Sequence, residues 1–269
     1  MVDQKIQTQL RNQYNPDGSL LRNQQLHMLE ILKIVVEICD KHKIPYWLSS
    51  GTLLGAVRHG GFIPWDDDVD IEILYSDKER FIQSCLNDLP KNHVIQCHQT
   101  DKSYYLDILK VRNQDIYINE SCNIGKHKFD TKYNYGGLFI DIFTIEPSAL
   151  PLVKLANFLT KILLFFRYVL KSPKVFVEVI YIINHFMFNV FRYIVKILKL
   201  DKSYVESYGS LFCLSRNIND LLPTKTEMFE NVLFNIPNDS DSYLKKMYGD
   251  YMTMPDDMLR KPHHNNELL

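Results

Sequence analysis

The sequence predicts an α+β fold: a mixed β-sheet flanked by helices, with an apolar but basic helical segment inserted late in the chain. Three observations carry this. Short β-branched and aromatic runs alternate with stretches of helical period through residues 1–150. Residues 151–200 then turn to Leu, Ile, Val, Phe and Tyr dotted with Lys and Arg. Residues 201–269 return to short helical and strand-like runs, which read as completing the domain begun by residues 1–150.

The first periodic element covers residues 23–42. Glu30, Lys33, Glu37 and Asp40 mark a polar stripe, and Leu26, Leu29, Leu32, Val36 and Cys39 line the opposite side of a mostly buried helix. Upstream, Asn15-Pro16-Asp17-Gly18 has the composition of a turn. Tyr46-Trp47-Leu48 reads as a short strand, followed by the turn Ser49-Ser50-Gly51-Thr52 and a helical stretch over 53–58. A loop, His59-Gly60-Gly61-Phe62-Ile63-Pro64-Trp65, leads to a strand over 68–74 and a helix over 77–89 capped by Ser76 or Asp77. Strands are expected over 104–112, 115–119 and 138–145. Beyond residue 200, a helix is expected over 202–214, a strand over 229–235 and a helix over 239–248 stopped by Gly249. The tail Lys261-Pro262-His263-His264-Asn265-Asn266 is expected to be mobile.

The chemistry concentrates in Trp65-Asp66-Asp67-Asp68-Val69-Asp70-Ile71-Glu72-Ile73. In a strand, Asp68, Asp70 and Glu72 share one face and Val69, Ile71 and Ile73 the other, with successive acids about 7 Å apart. Such a row repels itself unless protons or cations neutralise it. Carboxylates and substrate phosphates are the usual ligands of magnesium. A bare D-x-D is often a solvated acidic turn, but the apolar alternation behind these acids favours the metal reading. Leu138-Phe139-Ile140-Asp141-Ile142-Phe143 sets one further carboxylate inside an apolar strand. A buried charge needs a partner, a proton or a metal. Asp141 is therefore either a structural ion pair or the third carboxylate beside Asp68 and Asp70. Ser50-Gly51-Thr52 follows a strand and opens a helix, where glycine admits close approach of a phosphate and the helix amides favour anions. An ordinary strand-to-helix turn is the plainer reading of those three residues alone.

The totals narrow the field. A net charge of -1 excludes a strongly basic nucleic-acid binder, so no nucleic-acid partner is expected. The five cysteines are scattered with no C-x-x-C pair, which argues against structural zinc and for a reducing compartment. The N-terminal residues lack the apolar core of a secretory signal, and a cytoplasmic location is expected. Residues 151–200 hold eight basic residues against Glu178 alone, a local charge of +7. Glu178, His185, Arg192 and Lys196 interrupt the longest apolar window, which argues against a membrane span. Two readings stay open: a buried helical pair, or a segment lying on the inner face of a membrane with its basic residues toward anionic lipid.

Ser50-Gly51-Thr52-Leu53-Leu54-Gly55-Ala56-Val57-Arg58-His59, followed by Gly61-Phe62-Ile63-Pro64-Trp65-Asp66-Asp67-Asp68-Val69-Asp70-Ile71, resembles the LicD family of phosphorylcholine transferases and fukutin-related proteins. Phe229-Glu230-Asn231-Val232-Leu233-Phe234-Asn235-Ile236-Pro237 and Tyr248-Gly249-Asp250-Tyr251-Met252 look like later blocks of the same family. The resemblance implies a nucleotidyltransferase-type sheet, with the glycine turn on Gly51-Thr52, the D-x-D pair on Asp68 and Asp70, and the later acid on Asp141. It implies Mg2+ or Mn2+ on Asp68, Asp70 and Asp141, with Asp66 extending the acidic run. It also implies a CDP-linked alcohol donor and a glycan acceptor, in some cases lipid-linked. For donor phosphates the candidates are Ser50, Gly51, Thr52, Arg58, Lys110 and Arg112, with His59 and His264 as weaker ones. Two alternatives remain: transfer of a nucleotidyl group from a nucleoside triphosphate, or a catalytically silent membrane-associated scaffold.

Overall fold

The computed structural model describes residues 2–118, 122–124, 127–129, 133–169, 174–201, 203–210 and 212–260. After α1 (Gln4–Tyr14), the turn at Gly18 leads into α2 (Leu20–Lys41), which starts three residues before the expected 23 because the Ser19 side chain accepts from Arg22 N and caps it. Leu29, Leu32 and Cys39 lie in the core as the period requires, whereas Leu26 is 41% exposed. Gln24 and Gln25 are buried instead, and their amides bond the backbone of the acidic loop.

The main sheet runs in the order β1 (Tyr46–Leu48), β2 (Asp70–Leu74), β7 (Leu138–Pro147), β4 (Leu109–Asn113), β3 (His93–Gln96). Among the described residues only β2 and β7 pair in parallel, so the sheet is mixed. The helix α3 (Ser50–His59) joins β1 to β2, and α4 (Lys78–Asp88) joins β2 to β3 after a short 3-10 turn at Tyr75–Asp77. Asp77 takes the N-cap position of α4 without a capping bond; its carboxylate pairs with Arg80 at 2.7 Å. The central strand β7 buries Leu138, Ile140 and Ile142 on one face and Phe139 and Ile145 on the other. The hairpin β5 (Cys122–Ile124) and β6 (His127–Phe129) lies outside this sheet.

Four expectations need correction. The strand expected over 104–112 shrinks to β4, because Asp101 folds the preceding residues into a turn, accepting Ser103 N and Tyr104 N. Residues 115–118 form a turn and a single bridge rather than a strand, and Asn119 lies outside the described residues. The helix expected over 202–214 is replaced by β8 (Tyr204–Glu206) and β9 (Ser215–Arg216). Here β8 pairs with the second half of β7, which β4 leaves unpaired, and Gly209 at φ +92° turns the chain where a helix would need an αR residue. The strand expected over 229–235 is a hairpin, β10 (Lys225–Phe229) and β11 (Val232–Ile236), turning through Glu230 and Asn231, both at positive φ. A short helix α7 (Ile218–Leu221) precedes it, and α8 (Ser240–Tyr248), capped by Asp239 and ended at Gly249, follows. The expected mobile tail, with His264, lies outside the described residues.

Residues 151–200 fold largely into α5 (Leu150–Val169) and α6 (Lys174–Leu198), which pack on each other. Val153 and Ala156 meet Phe188 and Phe191 over Val205 and Tyr208 of the β8 region. Arg192 fastens the pair to the sheet through two bonds to Glu146, at 2.6 and 2.9 Å. Among the described residues, no helix is long and apolar enough to cross a membrane.

Candidate active site

The turn from β1 into α3 brings the acidic loop against the sheet. Ser50 takes φ +47°, and Ser49 N donates to Asp70 O, so the start of α3 and the start of β2 lie side by side. Thr52 Oγ1 accepts from Asp70 N at 2.9 Å, which gives this hydroxyl a role in placing Asp70. Gly51 sits against Asp66: a Cβ there would stand 2.7 Å from Asp66 Oδ2. On the other side, Gln25 Nε2 donates to Asp66 O at 2.8 Å and Gln24 Nε2 to Asp67 O at 3.2 Å. Both glutamines escape the sequence pattern because they stand on the buried side of α2, which is otherwise marked by its apolar residues. Polar residues at core positions were the available signal.

The expected strand over 68–74 begins at Asp70, so Asp68 belongs to the extended loop before it. Asp70 and Glu72 do share a strand face, but Glu72 is taken by a separate buried network. Its carboxylate accepts from Trp47 Nε1 at 2.6 Å and Tyr243 OH at 2.8 Å and pairs with Arg216 at 2.9 Å. Arg216 also pairs with Glu206 at 2.9 Å and so ties β2, β8 and β9 together. Tyr243 and Arg216 were not legible beforehand, since neither belongs to a local motif.

Asp70 and Asp141 are direct partners on the parallel strands β2 and β7, and Lys110 is the partner of Asp141 on β4. Lys110 Nζ pairs with Asp141 Oδ1 at 2.9 Å and sits over the Phe139 ring. Burial, then the charge of Asp68 and further of Asp141 and Asp66, holds the Asp70 carboxyl well above the ordinary carboxylate range. Asp66 is raised likewise, by burial first and then by Asp68 and Asp67, and its carboxyl shares a hydrogen bond with that of Asp68. Asp66, Asp68, Asp70 and Asp141 thus form one electrostatic neighbourhood, in which Asp66 and Asp70 hold protons more tightly than ordinary carboxylates do. Among the described residues no three His, Cys, Asp or Glu side chains are grouped as a ready-made metal site. The donors still suit a hard divalent cation chemically: they are all carboxylate oxygens, and the protons favoured on Asp66 and Asp70 are what such a cation would displace.

Beside the acids lies a cavity of about 520 Å3, lined by Gly51, Arg58, Trp65, Asp66, Tyr248 and Asp250 among others. Arg58 is buried, donates from Nη1 to Tyr251 O at 2.7 Å, and is lowered to about 10, chiefly by burial. His59 accepts from Arg58 Nε at 3.0 Å and contacts Gln7 Oε1 at 2.6 Å. Burial and the Arg58 charge lower it to about 3, so it is neutral at physiological pH. Tyr248 is pushed up by burial and by Asp70, Asp66 and Asp68, which places its hydroxyl in the same field. Arg112 shares the Phe139 ring with Lys110 but is not among the residues that line this cavity. It is fully buried and donates to Gln96 Oε1 at 2.6 Å and Gly137 O at 2.8 Å, the pattern of a core guanidinium rather than a phosphate clamp.

A family model described as LicD/FKTN/FKRP, nucleotidyltransferase domain, matches residues 43–159, a span that includes all four aspartates. The lipopolysaccharide cholinephosphotransferase LicD of Haemophilus influenzae is 28% identical over 272 residues, covering 92% of this chain and 97% of that protein. The human ribitol 5-phosphate transferase FKRP is 48% identical over 48 residues, 18% of this chain and 10% of FKRP. The human ribitol-5-phosphate transferase FKTN is 38% identical over 66 residues, 24% of this chain and 14% of FKTN. The LicD family model thus matches the chain across the acidic loop and β7, and one LicD protein is similar to it along nearly its whole length.

Proposed function

We propose that this protein moves a substituted phosphate, phosphocholine or a comparable alcohol phosphate, from a CDP-linked donor to a sugar hydroxyl of a glycan. The observation that carries this reading is the pairing of Asp70 with Asp141 on adjacent parallel strands, with Asp66 and Asp68 crowding the same place. The near-full-length likeness to a lipopolysaccharide cholinephosphotransferase supports the substrate class. In this reading the sheet is of nucleotidyltransferase type, residues 1–150 and 201–269 make one catalytic domain, and residues 151–200 are an insertion.

Asp68, Asp70 and Asp141 would hold Mg2+ or Mn2+, with Asp66 beside them. Bound there, the ion supplies charge neutralisation at the diphosphate and a lowered acceptor pKa. The chain's own groups do the rest. The acceptor hydroxyl oxygen forms a bond to the phosphorus that carries the alcohol, the phosphorus–oxygen bond to CMP breaks, and Asp141 takes the hydroxyl proton. Lys110 offsets the charge of Asp141 before substrate arrives. Ser50, Gly51 and Thr52 at the N-terminus of α3 would meet the donor phosphates, Gly51 and Arg58 from the wall of the cavity and Ser50 by releasing its N–H from Tyr243 OH. Trp65 and Tyr248 line the same cavity and would border the transferred group.

The test is a donor screen with the purified full chain, a glycan acceptor and CDP-choline, CDP-glycerol or CDP-ribitol, read by CMP release. One CDP-alcohol should give acceptor-dependent CMP. Pyrophosphate from a nucleoside triphosphate, with no CMP from any CDP-alcohol, would replace this reading by nucleotidyl transfer.

A further inference from the structure

The two helices α5 and α6 carry an apolar surface that nothing among the described residues covers. On α6, Val177, Ile180, Phe188 and Val195 are buried against the protein. At about 100° per residue, the opposite side carries Ile182, Ile183, Phe186, Val190, Tyr193 and Ile197. All six are exposed, Phe186 at 71% and Tyr193 at 65%. From Val179 to Ile197 this stripe runs about 27 Å at 1.5 Å per residue. On α5, Val153, Ala156 and Leu164 are buried, while Leu155, Phe158, Phe165 and Phe166 are exposed. Each helix is therefore apolar on two opposite sides, one packed and one bare. A helix that only completes a core has no reason to carry the second side.

The polar residues lie at the edges of these stripes. Lys154 and Lys161 on α5, and Lys196 on α6, fall between the buried side and the bare apolar side and are exposed. Lys199 is exposed just beyond the end of α6. Long lysine stems at that position keep their ammonium groups at a polar boundary while the neighbouring apolar residues go below it. Arg192 is excluded from this set, because Glu146 holds it inside the molecule. Two occupants compete for such a face, a second copy of the chain and an anionic lipid surface. Eight basic residues against one acidic residue in 151–200 make two copies repel across it and make anionic lipid attractive. Neither helix is long and apolar enough to span, so the segment lies in the plane of the boundary.

We infer that the bare faces of α5 and α6 are a peripheral docking surface for anionic lipid bilayers, with Phe158, Phe186, Tyr193 and their neighbours inserted below the headgroups and Lys154, Lys161, Lys196 and Lys199 meeting the lipid phosphates. This surface is independent of the transfer chemistry proposed above and stands or falls without it.

Flotation of the full chain with vesicles tests it. Vesicles of phosphatidylcholine containing about one-third phosphatidylglycerol should carry the protein up the gradient, at least about tenfold more strongly than phosphatidylcholine alone. The Ile182→Glu/Phe186→Glu variant, whose changes lie on exposed side chains, should melt as the parent does and lose binding to both vesicles by about tenfold or more. The Lys154→Gln/Lys161→Gln/Lys196→Gln variant should lose only the preference for the anionic vesicles. Failure of the folded parent to float with either vesicle would overturn the inference. So would sedimentation showing a dimer that Phe186→Glu dissolves, since the face would then belong to a second copy.

Discussion

Gly51→Ala tests the tightest contact at the acidic loop. The new methyl carbon would stand 2.7 Å from Asp66 Oδ2, where ordinary contact begins at 3.4 Å, so the carboxyl must retreat by about 0.7 Å. Asp66 has little freedom to do so. Its backbone carbonyl is held by Gln25, its carboxyl is hydrogen-bonded to Asp68, and the residue is buried. Overpacking of this kind costs about 1–3 kcal/mol. Alanine in place of glycine near the start of α3 returns up to about 1 kcal/mol of helix propensity. The fold should therefore survive with a modest loss of melting temperature. A displacement near 1 Å at reacting groups costs on the order of a hundredfold in rate, and that is the expected loss in kcat/KM for CMP release. The same substitution in an Asp66→Ala background should cost less than about threefold, because the clash has been removed. Full turnover by Gly51→Ala, or an equal loss in both backgrounds, would refute the reasoning.

Three further outcomes follow from the geometry. Arg216→Met strands the buried carboxylates of Glu72 and Glu206 and should cost about 3–5 kcal/mol in chemical denaturation. That deficit should shrink on acidification, since burial already raises the Glu206 carboxyl and protonation removes its unpaired charge. Gln25→Leu leaves Asp66 O without its side-chain donor and should cost about 1–3 kcal/mol, with transfer falling as well; unchanged activity would show that the loop is held by other means. Asp66 and Asp70 have raised folded pKa values, so their contribution to stability is complete below the unfolded carboxylate range and is lost as pH rises through the folded values. In EDTA the melting temperature should fall toward neutral pH, and Asp70→Asn should flatten that fall while abolishing transfer. Mg2+ should restore the parent at neutral pH, and melting curves indifferent to Mg2+ would count against the carboxylates as its ligands.

Much of the acid-bearing part of the sheet was legible because its signals are local. Val69, Ile71 and Ile73 alternate with acids, and an isolated Asp141 interrupts an apolar run, so two strands and their carboxylates could be named from neighbours in sequence. The fold's remainder depends on distant partners. Tyr204, Val205 and Glu206 become a strand because the second half of β7 lacks a neighbour there, a fact that no window around residue 204 contains. Glu230 and Asn231 form a turn without the usual glycine because the Glu230 carboxylate is held by Arg22 at 2.6 Å and by Phe62 N at 3.1 Å. Arg112 read as a donor-phosphate candidate because it shares a strand face with Lys110, and only the packing of Gln96 and Gly137 around it reveals a core residue.

The central claim is that Asp68, Asp70 and Asp141 bind a divalent cation in common. Mn2+ titration followed by electron paramagnetic resonance measures this without any substrate. The parent should quench the signal of free Mn2+ saturably, with Mg2+ competing, and Asp70→Asn and Asp141→Asn should each weaken binding by at least about tenfold while remaining folded. Mn2+ binding of equal strength in the parent and both variants, or none in the parent, would contradict the account.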